Sequence, residues 1–307
     1  MDIYLPIAEV SVNWPFLVLL GATVGFVSGL FGIGGGFLMA PILIFLGIPP
    51  AVAVASQASH VVASSTSGVI SYTNRQGVDF RIGGVMAAGG VLGALIGVEL
   101  FRYLRLLGQA DLAVALSYLL FLGVIGSLML YESLSQILRR VRGEVLPHKE
   151  RRRPLWLYGL PLRMRFPRSG LYISVIPPIG LGVIAGILSA IMGVGGGFIL
   201  VPAMLYVLRM RASVVVGTSL FQIIVTTAMT TILQAGRNQT VDIVLSTILL
   251  LGGVVGAQLG ARLSGRFRAE ELRAVLGLIV LAVGIQMGLE LFVRPSDLFA
   301  LAAGMSQ

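Results

Sequence analysis

Ten apolar segments separated by short polar breaks run along the chain from Trp14 to Phe292. They fall at about residues 14–31, 37–47, 51–73, 82–101 and 112–131, and then at about 173–192, 198–208, 212–235, 242–263 and 272–292. Most are long enough to cross a hydrocarbon core of about 30 Å as α-helices, at about 1.5 Å rise per residue. The apolar residues are continuous rather than alternating, which predicts helices and argues against a transmembrane β-barrel. The second segment of each set has only about 11 residues, too few to cross alone. It either forms half of a re-entrant hairpin or joins the helix that follows.

Two of the breaks are alike. Residues 32–36 read GIGGG and residues 193–197 read GVGGG. A glycine inside a helix costs roughly 1 kcal/mol relative to Ala, so a triplet marks a deliberate interruption. A shift of 161 residues superposes Gly25, Ser28, Gly32 and Gly34–Gly36 on Gly186, Ser189, Gly193 and Gly195–Gly197, and Pro41 on Pro202. A shift of 163 superposes Val78-Asp79 on Val241-Asp242, and Gly89, Gly90, Gly93 and Gly97 on Gly252, Gly253, Gly256 and Gly260. The chain therefore reads as a duplication: a first transmembrane repeat over 1–132, a basic linker over 133–172 and a second transmembrane repeat over 173–307.

Composition agrees, with 56% hydrophobic and only 11% charged residues. The net charge of +9 does not point to nucleic acid, because the basic residues gather between apolar runs. With the linker in the cytoplasm, 18 of the 22 Lys and Arg fall on that side, and Arg102, Arg105, Arg237 and Arg294 fall on the other. That bias predicts both termini outside. The N-terminus carries no basic residue before the first segment, unlike a secretory signal peptide. Each half then crosses an odd number of times. The fold class expected is an all-α polytopic membrane protein, an inverted repeat of two five-segment halves with Gly-broken hairpins near mid-membrane. Such repeats with interrupted helices mark secondary transporters, and a channel can share the architecture.

The third segment of each half is unusually polar. Ser56, Gln57, His60 and Ser64 in the first correspond to Thr218, Ser219, Gln222 and Thr226 in the second. These stripes follow helical spacing and suit hydrogen bonding to a polar solute. Ser67, Ser71 and Thr231 read instead as bonding to backbone or neighbouring helices. The triplets Gly34, Gly35, Gly36 and Gly195, Gly196, Gly197 free N–H groups at the start of the next helix, a setting suited to an anion. These fourteen residues are the candidate substrate-binding set. His60 is also a candidate for proton coupling, and equally reads as a neutral, bonded imidazole. The four-residue glycine spacings at 89–97 and 252–260 read as packing faces. Glu99, three residues before Arg102, reads as half of an interfacial ion pair.

The absence of cysteine excludes disulfides, thiol chemistry and Cys-ligated metals. No carboxylate or His cluster offers a metal site, no Ser/His/Asp set suits hydrolysis, and the glycine runs lack a dinucleotide-binding context. No enzyme activity, cofactor or nucleic-acid partner is expected. The linker, with Trp156 and Tyr158, reads as attracted to anionic lipid headgroups.

The duplicated GFVSGLFGIGGGFLMAP and GILSAIMGVGGGFILVP, each followed by a polar helix and a GGxxGxxxG helix, resemble the TauE/SafE family. The likeness covers nearly the whole chain outside the linker. Members of that family are called sulfite exporters, within the wider toluene-sulfonate uptake permease group. The resemblance implies a cytoplasmic-membrane transporter of a small sulfur oxyanion or organosulfonate. It points to Gly34–Gly36, Gly195–Gly197 and the Thr218-Ser219 pair. The first half departs from the pattern, with Ala55-Ser56-Gln57 where a Thr-Ser pair is commoner. A passive anion channel, or a membrane scaffold that docks a partner through the linker, is the alternative.

Overall fold

The computed structural model describes residues 2–31, 34–73, 76–141, 161–263 and 269–293. A β-hairpin opens the chain, β1 (Asp2–Leu5) against β2 (Val10–Asn13). Five helices follow: α1 (Trp14–Phe31), α2 (Gly36–Phe45), α3 (Pro50–Thr73), α4 (Phe80–Leu106) and α5 (Ala110–Val141). A second hairpin, β3 (Arg163–Phe166) against β4 (Leu171–Ser174), precedes the second five. These are α6 (Ile176–Met192), α7 (Gly197–Tyr206), α8 (Ala212–Leu233), α9 (Ile243–Leu263) and α10 (Ala269–Val293), with one π-turn over Gln234–Asn238 after α8. Pro15, Pro177 and Pro178 sit at helix starts, where a missing N–H costs nothing. Five helices are long and apolar enough to span a membrane, and the protein is a multi-pass α-helical membrane protein.

The halves are interlocked. Gly21, Gly25 and Gly29 of α1 lie against the backbone of Leu249, Gly253 and Ala257 of α9, while Gly252, Gly256 and Gly260 lie against Val18, Ala22 and Phe26. Both numbers rise together, so α1 and α9 run parallel. The same holds for α4 on α6, where Gly89, Gly93 and Gly97 meet Ile179, Val183 and Ile187. The first helix of each half thus packs on the fourth helix of the other. Lipid tails are as apolar as the helices, so close backbone approach through small residues supplies the attraction. Every one of these glycines is a position where a methyl group would strike backbone. The packing role read from their spacing is what they perform.

Equivalent helices pair differently. Gly126 of α5 meets Leu281 of α10 and Gly277 meets Leu130, so these two run antiparallel. In the centre, Gly68 of α3 meets Leu220 of α8, and Gly77 beyond the end of α3 meets Ser213 at the start of α8, again antiparallel.

The hairpins were not expected from the apolar pattern, and β3–β4 begins inside the stretch assigned to the linker and ends two residues beyond it. Four-residue strands are too short for periodicity to reveal. The repeat does contain them: the shift of 161 carries Asp2–Asn13 onto Arg163–Ser174 and Pro6 onto Pro167. Leu5 and Phe166, also equivalent, are fully buried. A buried carboxylate ties down each hairpin turn. Asp242 Oδ2 accepts the Ile7 N–H at 3.0 Å, while its Oδ1 accepts the N–H of Leu245 and caps α9. Asp79 Oδ2 accepts from Ser169 N and Ser169 Oγ at 2.9 and 2.6 Å, and Oδ1 caps α4 through Arg81 N. The main-chain N–H groups of Asp242 and Asp79 donate in turn to Ser56 Oγ and Thr218 Oγ1, each at 2.9 Å. At each end one carboxylate joins a hairpin, a cap and a polar-stripe helix.

Replacing Asp242 by Ala strands the buried Leu245 N–H, at a cost of about 1–3 kcal/mol, and releases the part-buried Ile7 N–H of the hairpin turn. Thermal scanning in detergent should show a clearly lower midpoint for Asp242→Ala than for Thr247→Ala, whose exposed hydroxyl bonds only its own helix.

Candidate substrate site

Both glycine triplets form reversals. Gly34 and Gly35 have φ of 83° and 67°, and Gly195 and Gly196 have 75° and 72°. A side chain is strained in that region, which only glycine enters freely. α2 and α7 begin immediately afterwards, at Gly36 and Gly197, and each has ten residues, about 15 Å of helix. Neither can cross a bilayer. α2 returns to the end where α1 starts, since Pro49 beyond it lines the same surface cavity as Ile7 of the first hairpin. α7 returns to the second hairpin, where Leu208 and Met210 pack with Phe166, Leu171 and Ile173. Each short segment thus folds back along the helix before it and does not join the helix that follows.

The two turns meet. The Gly36 Cα lies against Val194 and the Gly193 carbonyl, so that a Cβ there would stand 2.8 Å from Val194 Cα. Val61 of α3 and Ile223 of α8 fill the space between. A methyl group at Gly34 would sit 3.3 Å from Val61 Cγ1 and 3.4 Å from Ile223 Cδ1. One at Gly195 would sit 2.7 Å from Ile223 Cγ2 and 3.2 Å from Val61 Cγ1. Both side chains are fully buried. Sequence reading passed them over as ordinary apolar residues between polar ones. The signal was present, because a shift of 162 superposes Val61 on Ile223.

The polar stripes divide. Ser56 and Thr218 stand at the ends of the molecule, each bonded to its aspartate N–H. Gln57 Nε2 donates to the Met192 carbonyl at the end of α6, at 2.8 Å, and Tyr118 Oη donates to the same oxygen at 2.6 Å. His60 is wedged between α1 and α9, its Nε2 3.3 Å from the Gly21 carbonyl and its ring against Gly253. Its counterpart Gln222 lies against Gly90 of α4 and donates to Thr226 Oγ1 at 2.7 Å. Ser64 and Ser219 bond to carbonyls of their own helices, as do Ser71 and Thr231, while Ser67 reaches Val254 on α9. Glu99 pairs with Arg102 at 3.7 Å and also with Arg237, which spacing along one helix could not reveal.

Several polar atoms are buried without a partner: Ser28 Oγ, Gln57 Oε1, His60 Nδ1, Ser65 Oγ and Gln222 Oε1. Ser28 adjoins the first turn, its Oγ 3.3 Å from where a Gly35 Cβ would lie. Burying an unpaired polar group costs roughly 1–3 kcal/mol. Five of them lie on the helices around the two helix breaks. Among the described residues no group of His, Asp and Glu could hold a metal.

Inward-facing broken helices in a bundle of apolar spans are the build of a membrane transport protein. The chain belongs to the TauE/SafE sulfite exporter family, whose model matches residues 17–287. It is 31% identical over 270 residues to a probable membrane transporter protein of Xylella fastidiosa strain 9a5c, covering 86% of this chain and 91% of that one. It is 27% identical over 274 residues to the probable membrane transporter protein YjnA of Bacillus subtilis, covering 88% and 98%. A shorter likeness, 42% over 52 residues, joins 17% of the chain to 11% of sulfite exporter TauE/SafE family protein 3 of Arabidopsis thaliana. No solved structure matches the chain.

Alanine at Gly35 or Gly196 must adopt positive φ, at about 1–2 kcal/mol, and its methyl group would press on Ser28 Cβ or Ala185 Cβ. Gly180→Ala meets nothing within 4 Å. Purified Gly35→Ala and Gly196→Ala should melt at lower temperature than Gly180→Ala and lose solute flux, whereas Gly180→Ala keeps both.

Proposed function

We propose that the protein is a secondary transporter of a small sulfur-containing oxyanion, sulfite or an organosulfonate, working as an exporter. The observation that carries this reading is the meeting of the two glycine turns. α2 and α7 both begin there; the N–H groups of Gly36 and Leu38 are taken by the Gly34 and Gly35 carbonyls and those of Ile199 and Leu200 by Gly196, which leaves Phe37, Gly197 and Phe198 in the first turns to donate. Two helix N-termini, with their partial positive charge and bare glycine backbone, face one small region. An oxyanion held by N–H groups and neutral donors is bound without a full counter-charge, so it can also leave. The unpartnered hydroxyls of Ser28 on α1 and Ser65 on α3 are further donors, whereas the free Oε1 atoms of Gln57 and Gln222 only accept. The contact of Val61 and Ile223 between the turns closes the path at its middle, which favours a carrier over an open channel.

The antiparallel pairing of α3 with α8 and of α5 with α10 supports halves inverted about an axis in the membrane plane. Alternating access would then exchange the roles of the two turns. Charge supports a cytoplasmic linker, both termini outside and residence in the cytoplasmic membrane. Arg102, Arg105 and Arg237 do share one end of the molecule, around Glu99 and Asn238. About half of the linker, residues 142–160, lies outside the described residues. His60 is kept as the proton-coupling candidate because Nδ1 has no partner.

Purified protein in proteoliposomes should show saturable counterflow of at least one anion among sulfite, thiosulfate, sulfate and alkyl sulfonates; no movement of any of them sinks the reading. His60→Gln, which takes the residue type of its counterpart Gln222, should keep the flux and flatten its pH dependence. An unchanged pH profile removes His60 from coupling.

A further inference from the structure

A cavity of about 310 Å³ lies at the end of the molecule that carries the first hairpin. Its wall is assembled from Ile7, the start of α3, Arg105 at the end of α4, Asp111 at the start of α5, and Gln239 and Thr240 ahead of α9. Three features set it apart from a gap between loops. The Arg105 guanidinium is fixed in place by donating Nη1–H to the Asn238 carbonyl at 2.7 Å. Among the described residues it forms no ion pair, whereas Arg102 and Arg237 both share Glu99. The Thr240 side chain is 1% exposed and its hydroxyl has no partner. A guanidinium outside any ion pair and a residue whose buried hydroxyl has no bond thus both line the same space.

We propose that this cavity is an oxyanion vestibule, a second site distinct from the glycine turns, in which Arg105 supplies charge and Thr240 Oγ1–H a directed bond. The proposal rests on the reading of the protein as an anion transporter and adds where the anion stands before or after the central site. The vestibule joins the central helices directly. Two residues after Thr240, the Asp242 N–H is bonded to Ser56 on α3. The Asp111 carboxylate faces the same cavity and opposes an anion there, which keeps the site weak enough to release. A structural tie from Arg105 to Asn238 explains the guanidinium alone. It does not explain the unpartnered Thr240 hydroxyl.

The chain has no cysteine, so a single one can be modified cleanly. The test is sulfite flux in proteoliposomes sorted so that the hairpin end faces the bath. Arg105→Cys should raise the apparent KM for sulfite offered at that end by about tenfold, the worth of one bond to a charged group, with kcat unchanged. Alkylating that cysteine with 2-bromoethylamine, which leaves an ammonium on a thioether that sulfite does not cleave, should restore KM, and the carboxylate left by iodoacetate should raise it further. Thr240→Val should raise KM, and Asp111→Asn should lower it. If wild-type protein moves sulfite while Arg105→Cys keeps its KM, or loses kcat without rescue by the ammonium reagent, the vestibule is wrong and the transporter reading stands. If wild-type protein moves none of the four anion types, both fall.

Discussion

A backbone N–H or C=O left unpaired in hydrocarbon costs several kcal/mol, and the architecture follows from that constraint. Two breaks in the helical ladder are survivable only where protein surrounds them on all sides. α3 and α8 therefore cross at the centre, and the turns at Gly34–Gly36 and Gly193–Gly197 are placed against them. The parallel pairs α1 with α9 and α4 with α6 form walls around this core, and α5 with α10 forms a further antiparallel pair. The breaks are thereby hidden from lipid, with Val61 and Ile223 packed between them.

The ends of the molecule meet the same constraint with side chains. Asp79 and Asp242 each satisfy a helix start and a hairpin turn while their own N–H groups are held by Thr218 and Ser56. The two hairpins are thus fixed to the polar-stripe helices. The four residues at which this happens are equivalent in pairs, so the duplication preserved a connected hydrogen-bond system and not merely a set of apolar spans.

Much of this was legible in the sequence because its signals are local or periodic. Span length, glycine spacing and the repeat shift identified ten helices, the packing role of Gly89–Gly97 and Gly252–Gly260, and the two helix breaks. What was not legible depends on which faces meet. His60 and Gln222 belong to one pattern in the sequence, yet each is aimed at a glycine notch, Gly253 or Gly90, on another helix. Ser56 and Thr218 lie on the same stripes but serve the aspartates at the ends. Val61 and Ile223 look like any core residues until the antiparallel crossing of α3 and α8 brings them between the turns. Tyr118 on the Met192 carbonyl needs a contact across 74 positions that no spacing rule predicts.

The exchange of first and fourth helices between the halves has a consequence for biosynthesis. α1 leaves the ribosome about 230 residues before its partner α9 is made, a delay of tens of seconds at about 5–20 residues per second. Through that interval a helix with a bare glycine face must wait in the bilayer. A face of small apolar residues tolerates the wait, because lipid tails satisfy it nearly as well as α9 will. An interface of paired polar groups would not. Neither half can complete its own walls, so assembly is concerted, and it closes only when the ninth helix arrives beside the first.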